Sequence, residues 1–130
     1  MAAPKHSSEQ FVKFFFTTSV VESRPTEWEI ALHTGSPGAG DAQEVSSYSY
    51  QREDATFTAS DKGSYWEAEN DTDISFPVAD TGESYTVTHY TVRDKTSGEC
   101  LAIGEIPVPV QVEEGTIISF PAGRIQVRGV

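Results

Sequence analysis

The sequence predicts an all-β fold, an antiparallel β-sandwich of jelly-roll-like form with a short N-terminal helix or arm. Three observations carry this. Pro and Gly interrupt the chain repeatedly, at Gly35-Ser36-Pro37-Gly38-Ala39-Gly40, Lys62-Gly63, Gly82, Ser97-Gly98, Gly104, Gly115 and Ala122-Gly123. The runs between them are short, rich in β-branched and aromatic residues, and recur at the ~8–12 residue spacing of sandwiches and barrels. Several alternate in character along the chain, the period of a strand with one buried face. A length of 130 residues leaves room for one domain, read as an N-terminal helix or arm over 1–27 and a sandwich of seven or eight strands over 28–130.

The elements follow in chain order. Phe11, Phe14 and Phe15 stand at i, i+3 and i+4, and Ser7 with Gln10 three residues on has the form of a capping box; a helix over about 8–18 follows. Thr17-Thr18-Ser19-Val20-Val21 favours a strand by propensity, so an arm pairing elsewhere is the alternative. Four Phe near one terminus need burial, each worth roughly 1.5–3 kcal/mol. A small β core has little room for them, so Phe11, Phe14, Phe15 and Phe16 are the candidate subunit contacts. Trp28, Ile30 and Leu32 alternate with Glu29, Ala31 and His33, a strand with one face inward. Gly35–Gly40 contains Pro37 and opens no helix; it reads as a flexible loop without the helix N-terminus that holds phosphate. Tyr48 and Tyr50 share a strand face and are expected inside. In Tyr85–Val92, Tyr85, Val87, His89 and Thr91 point one way and Thr88, Tyr90 and Val92 the other. Asp94-Lys95-Thr96-Ser97-Gly98 is a turn and Cys100–Gly104 the returning strand. Pro107 and Pro109 place their stretch at a sheet edge or in a crossing segment. Thr116–Phe120 and Arg124–Arg128 close the chain as strands. The expected core is Trp28, Leu32, Phe57, Phe76, Val87, Tyr90, Leu101 and Phe120.

Charge excludes several function classes. Hydrophobic residues at 37% and charged residues at 22% match an ordinary folded protein, which argues against disorder. Twenty acids against nine bases give a formal charge of −11, which opposes binding to a phosphate backbone or an anionic membrane surface. The excess is local: residues 41–83 hold eleven acids and two bases, whereas 1–40 and 84–130 are each at net −1. That middle segment reads as a solvated acidic face. No apolar run approaches the ~18 residues of a membrane span, and the N-terminus lacks the charged-then-apolar order of a signal peptide. The single cysteine, Cys100, permits no intrachain disulfide and no cysteine-rich zinc site.

No arrangement of residues announces catalysis. His6, His33 and His89 have no metal-ligand spacing, Cys100 follows an acid that disfavours its thiolate, and neither a nucleophile elbow nor a phosphate loop is present. No cofactor is expected. Glu69, Asp71 and Asp73 alternate and are weak candidates for a Ca²⁺ site, which needs six to eight oxygens; they lack the remaining features of an EF-hand. Paired acids of a glycosidase need an apolar setting, which this run does not offer. Asn70-Asp71-Thr72 has the form of a glycosylation acceptor. Tyr48, Tyr50, Tyr65 and Trp66 around the acidic segment raise a glycan-binding platform as a second alternative, against the reading that they are core.

From Trp28 onward the chain resembles a known type of small tailed-phage virion protein, of the tail-fibre-like or head decoration (cement) kind. The resemblance rests on six motifs in order over about 100 residues: Trp28–Gly38, Glu44-Val45-Ser46 with Tyr50-Gln51-Arg52, Asp73-Ile74-Ser75-Phe76-Pro77, Val87-Thr88-His89-Tyr90, Asp94–Gly98 and Gly115–Gly123. Residues 1–27 match poorly. The resemblance implies a non-enzymatic structural component of the virion, made in the host cytoplasm. Acidity disfavours a place beside packaged DNA. The expected role is therefore cement on the outer capsid surface, bound to the major capsid protein or another virion protein as a homo-oligomer, a trimer being favoured. A tail, collar, fibre or baseplate component is the alternative.

Overall fold

The computed structural model describes residues 4–129. One helix, α1 (Lys5–Phe16), precedes nine strands: β1 (Trp28–His33), β2 (Glu53–Ala55), β3 (Phe57–Asp61), β4 (Trp66–Asn70), β5 (Ile74–Ser75), β6 (Tyr85–Asp94), β7 (Cys100–Val112), β8 (Ser119–Phe120) and β9 (Gln126–Arg128). All pairings are antiparallel. They build a four-stranded sheet in the order β2-β1-β6-β7, a three-stranded sheet β3-β4-β9, and a two-stranded ribbon β5-β8. The all-β expectation holds. Arg124 and Ile125 lie outside the last strand, and Thr116–Ile118 precede β8 rather than joining it.

One core joins the sheets. Ile30 and Leu32 of β1, Val87, Tyr90 and Val92 of β6, and Ala102 and Val112 of β7 meet Ala55, Ile74, Phe76 and Ile125 there. Trp28, Phe57 and Phe120 pack against its margin. The strict alternation expected of Tyr85–Val92 does not hold, because Val87 lies on the same core as Tyr90 and Val92. The pairing breaks register at the same place: Val87 faces Val110 and His89 faces Glu105, leaving Ile106–Pro109 of β7 as an excursion opposite Thr88. Such an excursion bends the strand that carries it and increases the local twist. The two prolines sit in that excursion, on the edge strand β7, where no central ladder needs their missing N–H groups.

A second bulge removes Leu101 from the expected core. Val92 faces Ala102 and Arg93 faces Cys100, so Leu101 is the extra residue and turns outward while Ala102 takes the inner position. Gly104 lies opposite Tyr90, and a Cβ there would come within 2.1 Å of the tyrosine ring carbon Cζ. Only glycine lets the ring lie flat across the strand. The turn forms as expected, with the Gly98 N–H donating to the Asp94 carbonyl at 2.8 Å and the Thr96 N–H to Asp94 Oδ1 at 2.9 Å.

Strand β1 is buried on both faces toward its end, not on one. Ala31 and His33 are buried on the face away from the core. The segment expected to be a flexible loop covers them: the Thr34 N–H donates to Gln43 O at 2.8 Å, the Val45 N–H to Leu32 O at 2.9 Å, and Pro37 and Gly40 are buried. Gly40 has φ +128°, and a Cβ would press within 2.4 Å of Cys100 Cβ, so only glycine allows this approach.

Candidate functional site: an exposed phenylalanine face

Helix α1 runs Lys5–Phe16 rather than 8–18, and the capping box is not formed. Pro4 takes the N-cap position, where its fixed φ suits a helix start and no side chain caps the first turn. The Ser7 hydroxyl instead donates across the fold to Leu101 O at 2.9 Å, and Gln10 Oε1 accepts the Glu22 N–H at 2.9 Å. His6 adds a contact to Glu22 at 3.0 Å. Lys13 pairs with Glu9 at 2.6 Å, one turn earlier, and lies near the negative end of the helix dipole. The Thr17 hydroxyl closes the helix by donating to Lys13 O at 2.7 Å. Thr17–Val21 forms no strand.

Ser7, Gln10, Phe11 and Phe14 share the side of α1 turned toward the body, yet the rings gain little cover from it. No α1 residue is buried. Phe14, Phe15 and Phe16 are 65%, 64% and 74% exposed, and Phe11 and Val12 are about half exposed. The rings cluster with one another, Phe14 edge-on to Phe15 at 4.9 Å between centroids and Phe11 tilted against Phe15 at 5.1 Å. Beneath Phe11, Phe14 and Phe15, a cavity of about 320 Å³ opens between the helix and the 21–25 segment, with Leu101 on its floor. None of the four rings belongs to the core.

A second feature escaped sequence reading. The outer face of the four-stranded sheet carries a polar layer. The Arg93 guanidinium, 2% exposed, donates to Gly40 O at 2.6 Å, to Gly98 O at 3.0 Å, to Thr91 Oγ1 at 3.1 Å and to Asp41. His33 Nδ1 lies 2.7 Å from Ala42 O and Nε2 2.9 Å from Thr91 Oγ1. A carbonyl can only accept, so Nδ1 carries the proton and Nε2 accepts from the threonine hydroxyl. Burial, and less strongly the nearby Arg93 and Arg52 charges, hold the His33 pKa below its ordinary 6.5, against the raising effect of Ala42 O and Glu44. Beside it, Arg52 grips Glu44 at 2.8 Å and Glu29 at 3.0 Å, and the Tyr50 hydroxyl donates to Glu44 at 2.6 Å while accepting the Leu32 N–H. Burial opposes ionisation of Glu44, but Arg52 and Tyr50 outweigh it and its carboxyl stays below the usual range. These bonds span up to 58 positions of sequence. This layer fastens the 35–52 segment and offers no open cleft for a substrate.

The remaining candidates are dispersed. Asp71 accepts from Thr56 and Thr58, bonds that lower its pKa; Asp73 accepts the Ala122 N–H at 2.9 Å; Glu69 lies beside Gly123. Among the described residues no three His, Cys, Asp or Glu converge to hold a metal ion. Asn70 is buried, its amide shared among Thr72 O, Pro121 O and the Ile125 N–H, so it is no glycan acceptor. The acidic segment is not uniformly solvated either: Glu67 is buried within reach of Lys62 and Arg128, and Glu83 accepts from Ser49 and the Asp80 N–H. Tyr48 and Tyr50 do not share an inner strand face. Tyr48 is 74% exposed at a turn and Tyr50 is inside. Trp66 is exposed, while Arg128 lies over the Tyr65 ring at 4.7 Å. Cys100 is buried and its thiol pKa is raised by that burial. Among the described residues no helix is long and apolar enough to cross a membrane.

No curated protein matches the chain. Residues 4–128 match the family described as podophage GP4 fiber I protein gp80, which takes in both α1 and the β domain and so extends the likeness over the N-terminal segment. An exposed apolar helix on an acidic β body is in keeping with a structural part of a particle. The chain belongs to this podophage fibre family, and is a structural protein of the phage virion.

Proposed function

We propose that the protein is a fibre component of the podophage virion that docks through the Phe face of α1, in preference to a cement protein of the outer capsid. The observation that carries this is the exposed Phe11–Phe14–Phe15–Phe16 cluster on a helix with no buried residue. Contiguous apolar patches of a few hundred Å² mark association sites in soluble proteins. Family membership supports the fibre placement. The acidic segment 41–83 keeps the remaining surface soluble and repels packaged DNA, which suits an external position of either kind. The work is mechanical: burying the Phe face stabilises the assembled state by mass action. A reconstruction of intact virions, or labelling with an antibody against this chain, tests the placement. Density in a ring of sixfold or threefold symmetry on the tail is the expected result. Copies repeated over the icosahedral shell would overturn it in favour of cement.

A further inference from the structure

We propose that the partner of the Phe face is a second copy of this chain, and that the Phe side chains of one copy seat in an apolar cleft of the other. The inference deepens the docking role given to α1 and rests on it. The cleft lies between the sheets, about 180 Å³ in volume, walled by Trp28, Phe57, Ala68, Leu101 and Val127. Its rim is aromatic, with Trp28 edge-on to Phe57 at 6.2 Å between centroids, and such edges and faces attract a further ring. Leu101, pushed outward by the bulge in β7, lines both this cleft and the cavity under the helix. Knob and hole therefore lie side by side on one surface of one chain. Self-association needs that arrangement, whether about a twofold axis or head to tail around a ring, because each copy must present both halves of the contact.

Charge and area point the same way. Helix α1 carries Lys5 and Lys13 against Glu9, whereas Asp61, Glu67 and Glu69 of β3 and β4 have Lys62 and Arg128 beside them, so the two sides are each near neutral and of opposite sign. The helix of one copy thus meets no like-charged surround on the other, where two acidic segments facing each other would repel. The four Phe side chains, 45–74% exposed, present about 500 Å² of apolar surface at ~200 Å² per ring. That is more than half of the ~800 Å² per partner found in stable interfaces, and the cleft walls extend it.

Sedimentation velocity of the full chain, from low to high micromolar concentration, tests the partner. The expected result is a concentration-dependent species with the mass of two or more chains, reduced to one chain by Phe14→Asp with Phe15→Asp at unchanged far-ultraviolet circular dichroism. Seating is tested separately, by mixing a tagged Phe15→Cys chain with an untagged Ala68→Cys chain under mild oxidation. A mixed disulfide dimer is expected in the mixture and in neither variant alone. A single-chain mass at every concentration overturns the proposal, as does an oligomer unaffected by the double substitution. An oligomer without the mixed disulfide overturns the seating. The virion placement is read independently, in the particle, and survives each of these failures.

Discussion

Two neighbouring regions of this molecule invert the usual distribution of polarity in opposite senses. Helix α1 is held to the body by Ser7 and Gln10 and leaves its Phe rings largely in water. The outer face of the four-stranded sheet buries Arg93, His33 and Thr91 under the 35–45 segment. The polar layer is complete: among the described residues no buried side-chain nitrogen or oxygen lacks a hydrogen-bond partner. The helix is incomplete. Its rings leave unrealised most of the roughly 1.5–3 kcal/mol that burying each would contribute. The contrast separates two tasks, since a satisfied layer fixes the shape of one chain and an unsatisfied face joins it to another.

The polar layer breaks the comparison most severely if disturbed. Arg93→Met strips donors from the Gly40 and Gly98 carbonyls and leaves Thr91 without its guanidinium partner, so unfolding free energy should fall by about 3–5 kcal/mol. Asp41→Asn removes the other member of the same ion pair but lies 83% exposed, and should cost no more than about 1 kcal/mol. Urea unfolding of the two variants reads the difference directly; equal losses would mean that the charge pair, not the carbonyl contacts, holds the segment. The core should respond less than Arg93 does. Gly104→Ala forces the Tyr90 ring to move and should cost about 1–3 kcal/mol in the same assay.

How much of this was legible in the sequence follows from the range of the interactions. Alternation in Trp28–His33 and the Asp94–Gly98 turn are local patterns, and both elements stand where they were expected. The Phe spacing is local as well, and a helix stands there, over Lys5–Phe16 rather than 8–18. The bulges at Thr88 and Leu101 are not local. They follow from how β6 and β7 pair over the whole hairpin; one coincides with the broken alternation after Val87 and the other turns Leu101 outward. Gly35–Gly40 has the composition of a flexible loop, yet partners from Cys100 and Arg93, more than 50 positions away, close over it. The Ser7 hydroxyl was likewise drawn from its own helix to a carbonyl on β7.

A smaller effect is reached through pH. The folded pKa of His33 lies below 6.5, so the unfolded chain binds more protons as pH falls. The stability this group contributes is fully present above 6.5 and is lost as pH falls from there through the folded value. Unfolding free energies between pH 7 and pH 5 should therefore decline, and His33→Gln should flatten the slope. An unchanged slope would place the titration elsewhere than the polar layer.

The smallest effect on stability belongs to the most exposed residues. Phe14→Ser and Phe15→Ser change side chains that are about two-thirds in water, and each should alter the unfolding free energy of dilute protein by no more than about 0.5 kcal/mol. Both should also lower the fluorescence of the dye ANS bound to the native chain, since an apolar patch is lost. A fall of several degrees in Tm at low concentration would mean that the rings are packed within a single chain. The contrast with the polar layer would then vanish. If Tm holds and dye binding falls, the burial energy of α1 is held back from folding and is released only when a partner covers the face.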